Sequence, residues 1–143
     1  MTFRPYDKLT ASGVQDDRSN NTGVMIPRIT PVRINSSGEL DFIDVSVEFE
    51  ALAISGVTSE NILNGSTGTY LNYGKIENIT TSAPLGDTVY VSKSGGLTNS
   101  QPSDGIDSFI SGDFVISVGV IAKNELNPLL KDLIINIDVI GQL

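Results

Sequence analysis

Side chains in this chain alternate between apolar and polar at every second position over long stretches. In FVISVGVIA, Phe114, Ile116, Val118 and Val120 share one face, with Val115, Ser117, Gly119 and Ile121 opposite. In DLIINIDVI, Leu133, Ile135, Ile137 and Val139 share one face, with Asp132, Asn136 and Asp138 on the other. A period of two marks a strand with one face in a core, because successive side chains on an extended backbone point to opposite sides. The same rhythm runs through Ile43, Val45, Val47, Phe49, Ala51 and Ala53, with Asp44, Ser46, Glu48 and Glu50 between them. It predicts a long strand over 43–53, bending near Glu50 into a second over 52–55. A helix there would set Asp44 and Glu48 beside Val45 and Phe49 and leave no clean apolar face.

Between the strands lie glycine turns. Ser36-Ser37-Gly38, Asn64-Gly65, Thr67-Gly68 and Pro84–Asp87 read as turns. Thr88–Ser92 reads as a strand, and Lys93–Gly96 as a tight turn with Gly95 and Gly96 supplying flexible φ. Short strands are expected over 69–73 and 75–79. Pro27 and Pro31 limit 25–34 to an edge strand or extended segment, because proline has no N–H for a ladder. NSQPSDGIDSFISGD and AKNELNPLLK read as loops. Residues 1–23 lack a sustained period and read as an arm or extended loop, with Phe3, Pro5 and Tyr6 as apolar anchors for a partner. The rest, 24–143, reads as one domain. The fold class is therefore all-β: a single small β-barrel or sandwich of about eight to ten short antiparallel strands with an extended N-terminal arm.

Composition narrows the function. Nine Lys and Arg stand against seventeen Asp and Glu, a formal net charge of -8. A nucleic-acid surface needs clustered cations to displace counterions, so no nucleic-acid partner is expected. The chain has no Cys and no His, which excludes disulfides, thiolate metal sites and the commonest general base. No run of about eighteen apolar residues is present, so no membrane partner is expected. The opening MTFRPYDKLTASG has no apolar run after its charges and does not read as a secretory signal.

Candidate chemistry is sparse. The carboxylate pairs are Asp16-Asp17, Glu48-Glu50 and Asp104-Asp107. Glu48 and Glu50 would share one strand face, an arrangement typical of the solvated side of a sheet. DDRSNNTG offers oxygen ligands, but counted from Asp17 its glycine is seventh rather than sixth, and Arg28 stands where an EF-hand needs glutamate. Ser92-Lys93-Ser94 could form a Ser-Lys dyad, yet neighbouring residues of an extended turn point apart. No phosphate-binding glycine loop occurs. No catalytic residue, cofactor or metal is expected. Tyr70 and Tyr73 flank one short segment and read either as half-buried packing or as a contact patch for protein or, with Tyr90, for sugar.

One stretch has a wider likeness. ALAISGVTSENILNGSTGTYLNYGKIENI resembles a block of small bacteriophage structural proteins. In that block an apolar strand ending in glycine leads through a polar segment and turn to a Gly-Thr strand. APLGDTVYVSKSGGLTNSQPSD is similar to the element that follows, FVISVGVIAKNE to a Val-Gly strand, and DLIINIDV to the final strand. The likeness covers Ala51 to Val139 and points to the capsid decoration or head-fibre group, with related barrel modules in tail and baseplate proteins. Residues 1–50 depart from that pattern by adding an arm and at least one strand. The resemblance implies a non-enzymatic virion protein, a homo-oligomer and often a trimer, that binds the major capsid protein or another virion protein. It further implies that Gly86 and Gly96 supply turn dihedrals while Val89 and Val91 enter the barrel. A tail, baseplate or fibre-attachment module and a carbohydrate-binding module are the alternatives.

Overall fold

The longest strand of the molecule organises all the others. The computed structural model describes residues 13–143. In chain order the elements are β1 (Gly13–Ser19), β2 (Pro31–Ile34), β3 (Leu40–Asp41), α1 (Glu48–Leu52), β4 (Ile54–Thr58) and β5 (Thr67–Ile79). They continue with β6 (Thr88–Val91), β7 (Leu97–Thr98), β8 (Phe114–Lys123) and β9 (Lys131–Gln142). All strand pairs are antiparallel. The hydrogen-bonded path runs β3-β2-β4-β5-β9-β8-β6-β7, with β1 added to β5. The all-β class expected from the alternation is thus the observed one.

β5 has 13 residues, long enough to take two partners in succession on one edge. Leu71 lies between Gln15 and Val57, and Tyr73 lies between Val14 and Asn136. β1 therefore lines one edge of β5, while β4 and β9 follow each other along the opposite edge. Two wings, β4-β2-β3 and β9-β8-β6-β7, leave that shared edge and curl over a common core. The main cluster draws Val57 and Leu71 from the seam and first wing, and Val91, Ile116, Val118, Leu133 and Ile135 from the second. Val45, Ala51 and the loop residue Phe109 fill the space between them. A backbone hydrogen bond from Phe114 to the Val45 carbonyl, 2.9 Å, ties the wings on the far side. The result is a half-closed barrel. The two ends of its path, β3 and β7, are only two residues long, which leaves little unpaired ladder for another chain.

A second cluster of Ile26, Val32, Leu40, Ile62 and Tyr70 lies under the segment that follows β1. Buried Asn20 organises that segment. Its side-chain amide donates to the Val24 and Ile62 carbonyls, and its Oδ1 accepts from the Thr22 N–H and hydroxyl.

Several expectations change. The alternation over 43–53 does not form a strand. Ile43 and Val45 do point inward, but Asp44 Oδ1 then accepts the N–H and hydroxyl of Ser46, and the Val47 N–H donates to the Asp44 carbonyl. This side-chain turn ends the extended run. The Glu, Ala and Leu that follow are good helix formers and make α1, so Glu48 and Glu50 do not share a strand face. Thr67-Gly68 is the start of β5 rather than a turn, and the strands expected over 69–73 and 75–79 are one. β2 has partners on both edges and is no edge strand; Pro31 is tolerated as its first residue. Within β8 the period slips at a bulge between Ser117 and Gly119, which brings Ile121 inside and turns Val120 out. Gly86 and Gly95 have the left-handed φ expected of turn glycines, 87° and 90°. Gly96 does not, and its N–H is held by Ser92 Oγ at 2.9 Å. Val89 and Val91 are both buried. Of residues 1–23, Gly13–Ser19 is β1, a member of the sheet.

Candidate functional site

The loop joining β8 to β9, residues 124–130, is built around a buried polar side chain. Asn124 is only 4% exposed. Its amide nitrogen donates to Asp132 Oδ1 at 2.9 Å and to Asn78 Oδ1 at 2.7 Å. Its Oδ1 accepts the main-chain N–H of Leu126 at 3.0 Å and of Asn127 at 2.8 Å. Asp132 Oδ1 also accepts the N–H of Asn78, which sits in the left-handed region at φ 60°, a conformation asparagine tolerates. Asn127 repeats the device one turn on, accepting the Leu129 N–H at 3.0 Å. Pro128 needs no N–H partner.

This scaffold presents two leucines to solvent. Leu126 is 93% exposed and Leu129 is 87% exposed. A loop held by this many side-chain bonds cannot fold its leucines inward without breaking them. Farther down the same hairpin, the cross-strand pair Val120 and Ile134 is also turned out. A second outward apolar pair, Phe49 and Leu52, sits on α1, where the Arg33 guanidinium lies 5.7 Å from the Phe49 ring centroid.

The aromatic pair expected as a patch is divided. Tyr70 is 7% exposed and packs in the second cluster, with its hydroxyl donating to Asp16 Oδ2 at 3.2 Å. Burial, then this hydrogen bond, push its phenol above the ordinary value of 10.0. Desolvation opposes ionisation of Asp16, but hydrogen bonds from Arg18, the Asp17 N–H and Tyr70 together hold its carboxyl below the ordinary 3.8. Tyr73, an odd number of residues along the same strand, is 62% exposed and pairs with exposed Val14. Phe3, Pro5 and Tyr6 lie outside the described residues.

Asp17, Glu50, Ser92, Lys93 and Ser94 among the acidic and nucleophilic candidates are engaged structurally. Asp17 Oδ1 accepts the Thr69 hydroxyl, and Glu50 Oε1 accepts the Asp44 N–H and pairs with Arg33. Asp104 and Asp107 lie in the 99–113 loop. Lys93 Nζ is 2.6 Å from Asp113 Oδ2, a buried carboxylate that also accepts the Ile110 N–H, so it is not poised toward Ser92 or Ser94. Ser92 and Ser94 hydroxyls instead bond each other at 3.0 Å. Among the described residues no group of three or more acidic side chains is placed to hold a metal ion. No helix among them is long and apolar enough to cross a membrane.

Leu126, Leu129 and Asn124 were not among the residues the sequence singled out. The signal was present in N-E-L-N-P-L-L: two asparagines three apart with a proline, the pattern of consecutive side-chain turns, carrying leucines where no strand can bury them.

Known family models, curated proteins and solved structures give no match to this chain.

Proposed function

We propose that this protein is a non-enzymatic structural subunit of a phage particle, of the capsid decoration (cement) type, that works by packing against copies of itself and against the major capsid protein. The observation that carries the reading is the β8–β9 loop. Asn124 and Asn127 hold Leu126 and Leu129 in water at a standing hydrophobic cost, a cost that an assembly contact removes. The outward pair Val120 and Ile134 on the same hairpin extends the apolar surface available to a neighbour. The setting rests on the sequence resemblance of Ala51 to Val139 to the capsid decoration or head-fibre group. A low proportion of charge favours contact by apolar burial over ion pairing.

The experiment has two arms. The mass of the purified protein in solution reports self-association, expected as a homo-oligomer such as a trimer. Mixing the protein with undecorated phage heads and imaging the pelleted particles reports shell binding and the symmetry of the occupied sites. Occupancy on the head surface is expected. Occupancy at the tail or baseplate moves the protein to the related module type. A monomer that pellets with neither heads nor tails removes the proposal. The N-terminal truncation that tests an arm must stop at residue 12, since Gly13–Ser19 is a strand of the sheet and Asn20 is buried.

A further inference from the structure

At one mouth of the half-barrel lies a cavity of about 420 Å³, within the range of about 300–1,000 Å³ usual for small-molecule sites. Its floor is apolar, with Val89, Ile121 and Leu133 buried and Leu97 half-buried. Its rim is polar, with Arg28, Thr80, Thr98 and Asn99 around the opening.

Arg28 distinguishes this cavity. Arg18, Arg33, Lys75, Lys93 and Lys123 each have a carboxylate within 4.0 Å. Among the described residues, Arg28 and Lys131 have none; Lys131 does not line the cavity and spends its ammonium on the Ala83 carbonyl, which leaves Arg28 as the cation of the lining. Its guanidinium is fixed by main-chain carbonyls instead: Nε donates to Ser59 at 3.1 Å, Nη1 to Asn78 at 3.3 Å, and Nη2 to Glu77. A guanidinium has five N–H donors, so one remains on each terminal nitrogen. The backbone on either side is held in unusual conformations. Ile29, beside Arg28 and also lining the cavity, has φ 64°, which a β-branched residue rarely adopts, and Asn78 has φ 60°. Buried Thr58 enforces the first, its carbonyl accepting the Ile29 N–H and its hydroxyl accepting the Thr30 N–H. Strain kept in place by a buried partner next to a cavity is a common mark of a preorganised binding site.

We propose that this cavity binds a small ligand with one anionic head, a carboxylate, and a short aliphatic body. The head meets the two remaining Arg28 donors, and the body covers the Val89, Leu97, Ile121 and Leu133 floor. A single negative charge is favoured over a dianion such as phosphate. On the rim Asn99 is bonded to the Asp87 carboxylate at 3.0 Å, and the whole chain carries a net charge of -8.

Sodium octanoate and its uncharged analogue 1-octanol test the site by amide NMR titration. Octanoate should shift the Thr80, Leu97, Thr98 and Asn99 amides saturably, with at least about tenfold tighter binding than octanol. Arg28→Gln should remove that advantage, bringing octanoate down to the affinity of octanol for the same variant, and an advantage that survives the substitution overturns the proposal. Arg28 also braces three carbonyls, so Leu97→Trp, which fills the cavity with Arg28 intact, gives an independent reading and should abolish binding of both probes. Equal affinity for the two probes overturns the proposal. So does the absence of saturable shifts at these amides up to about 10 mM octanoate, or undiminished binding by Leu97→Trp.

Discussion

Replacing Leu126 and Leu129 together with serine separates assembly from folding. Both side chains are almost wholly in water, at 93% and 87% exposure, so neither contributes much to the core. The folding free energy should change by no more than about 1 kcal/mol, at about 0.5 kcal/mol for each surface substitution. In an interface the account differs. Full burial of a leucine side chain contributes about 1.5–3 kcal/mol, and the two exposures together amount to nearly two whole leucines. The double variant should therefore lose about 3–5 kcal/mol of association free energy, a weakening of about 10²- to 10⁴-fold. Urea denaturation measures the first quantity. Sedimentation equilibrium for self-association and a pelleting titration with undecorated heads measure the second. Unchanged affinity in both assays would refute the claim that the loop is a contact surface. A fall in folding stability of several kcal/mol would refute it differently, by showing that the leucines support the fold.

Three further outcomes follow from local geometry. Asn124→Ala leaves the Leu126 and Asn127 N–H groups and the Asn78 and Asp132 oxygens without their buried partner, and should cost about 2–4 kcal/mol in urea melts, with faster hydrogen exchange at those two amides. Gly119→Ala puts a Cβ 1.9 Å from the Ile134 carbonyl oxygen, where backbone must move; it should destabilise by more than about 4 kcal/mol or prevent folding, while Gly141→Ala, with open space around it, should melt like the parent. The fold favours the neutral phenol of Tyr70, so its folded pKa lies above the unfolded value of 10.0: this stabilisation is complete below pH 10 and lost as pH rises through the folded value. The tyrosinate absorbance difference between the parent and Tyr70→Phe should titrate above 10.0, and a midpoint at or below that value would contradict the buried hydrogen-bonded site.

The parts legible in the sequence are those where one physical rule acts alone. The β9 alternation is uninterrupted, and the strand appears where expected. Gly86 and Gly95 stand between apolar runs, and both turn there with left-handed φ. The failures arise where two rules compete within a few residues. Over 43–53 the period of two is genuine as far as Val45, but Asp44 and Ser46 form a side-chain turn that outweighs it, and Glu48–Leu52 then follows its helical preference. In β8 one bulge residue exchanges the faces of Val120 and Ile121, which no count of alternating residues detects.

The candidate contact residues were harder to read. Leucines in a polar loop look like ordinary loop composition until Asn124 is seen to be buried and bonded to strands at both ends. Arg28 was equally opaque, because its meaning lies in the absence of a carboxylate and in carbonyls at Ser59, Glu77 and Asn78, far away in sequence. Tyr70 and Tyr73 show the limit of reading adjacent aromatics as a patch, since an odd spacing on a strand sends them to opposite faces.

β5 acts as a common spine. Its contacts with β4 join neighbours in the chain, whereas its contacts with β9 close a span of some sixty residues, so the hairpins of both wings are local and the docking of the second wing onto β5 is the long-range step. Once both are seated, neither can peel away without exposing the interior of the other. Damage to that one strand is therefore felt everywhere, and the body should come apart in a single cooperative step.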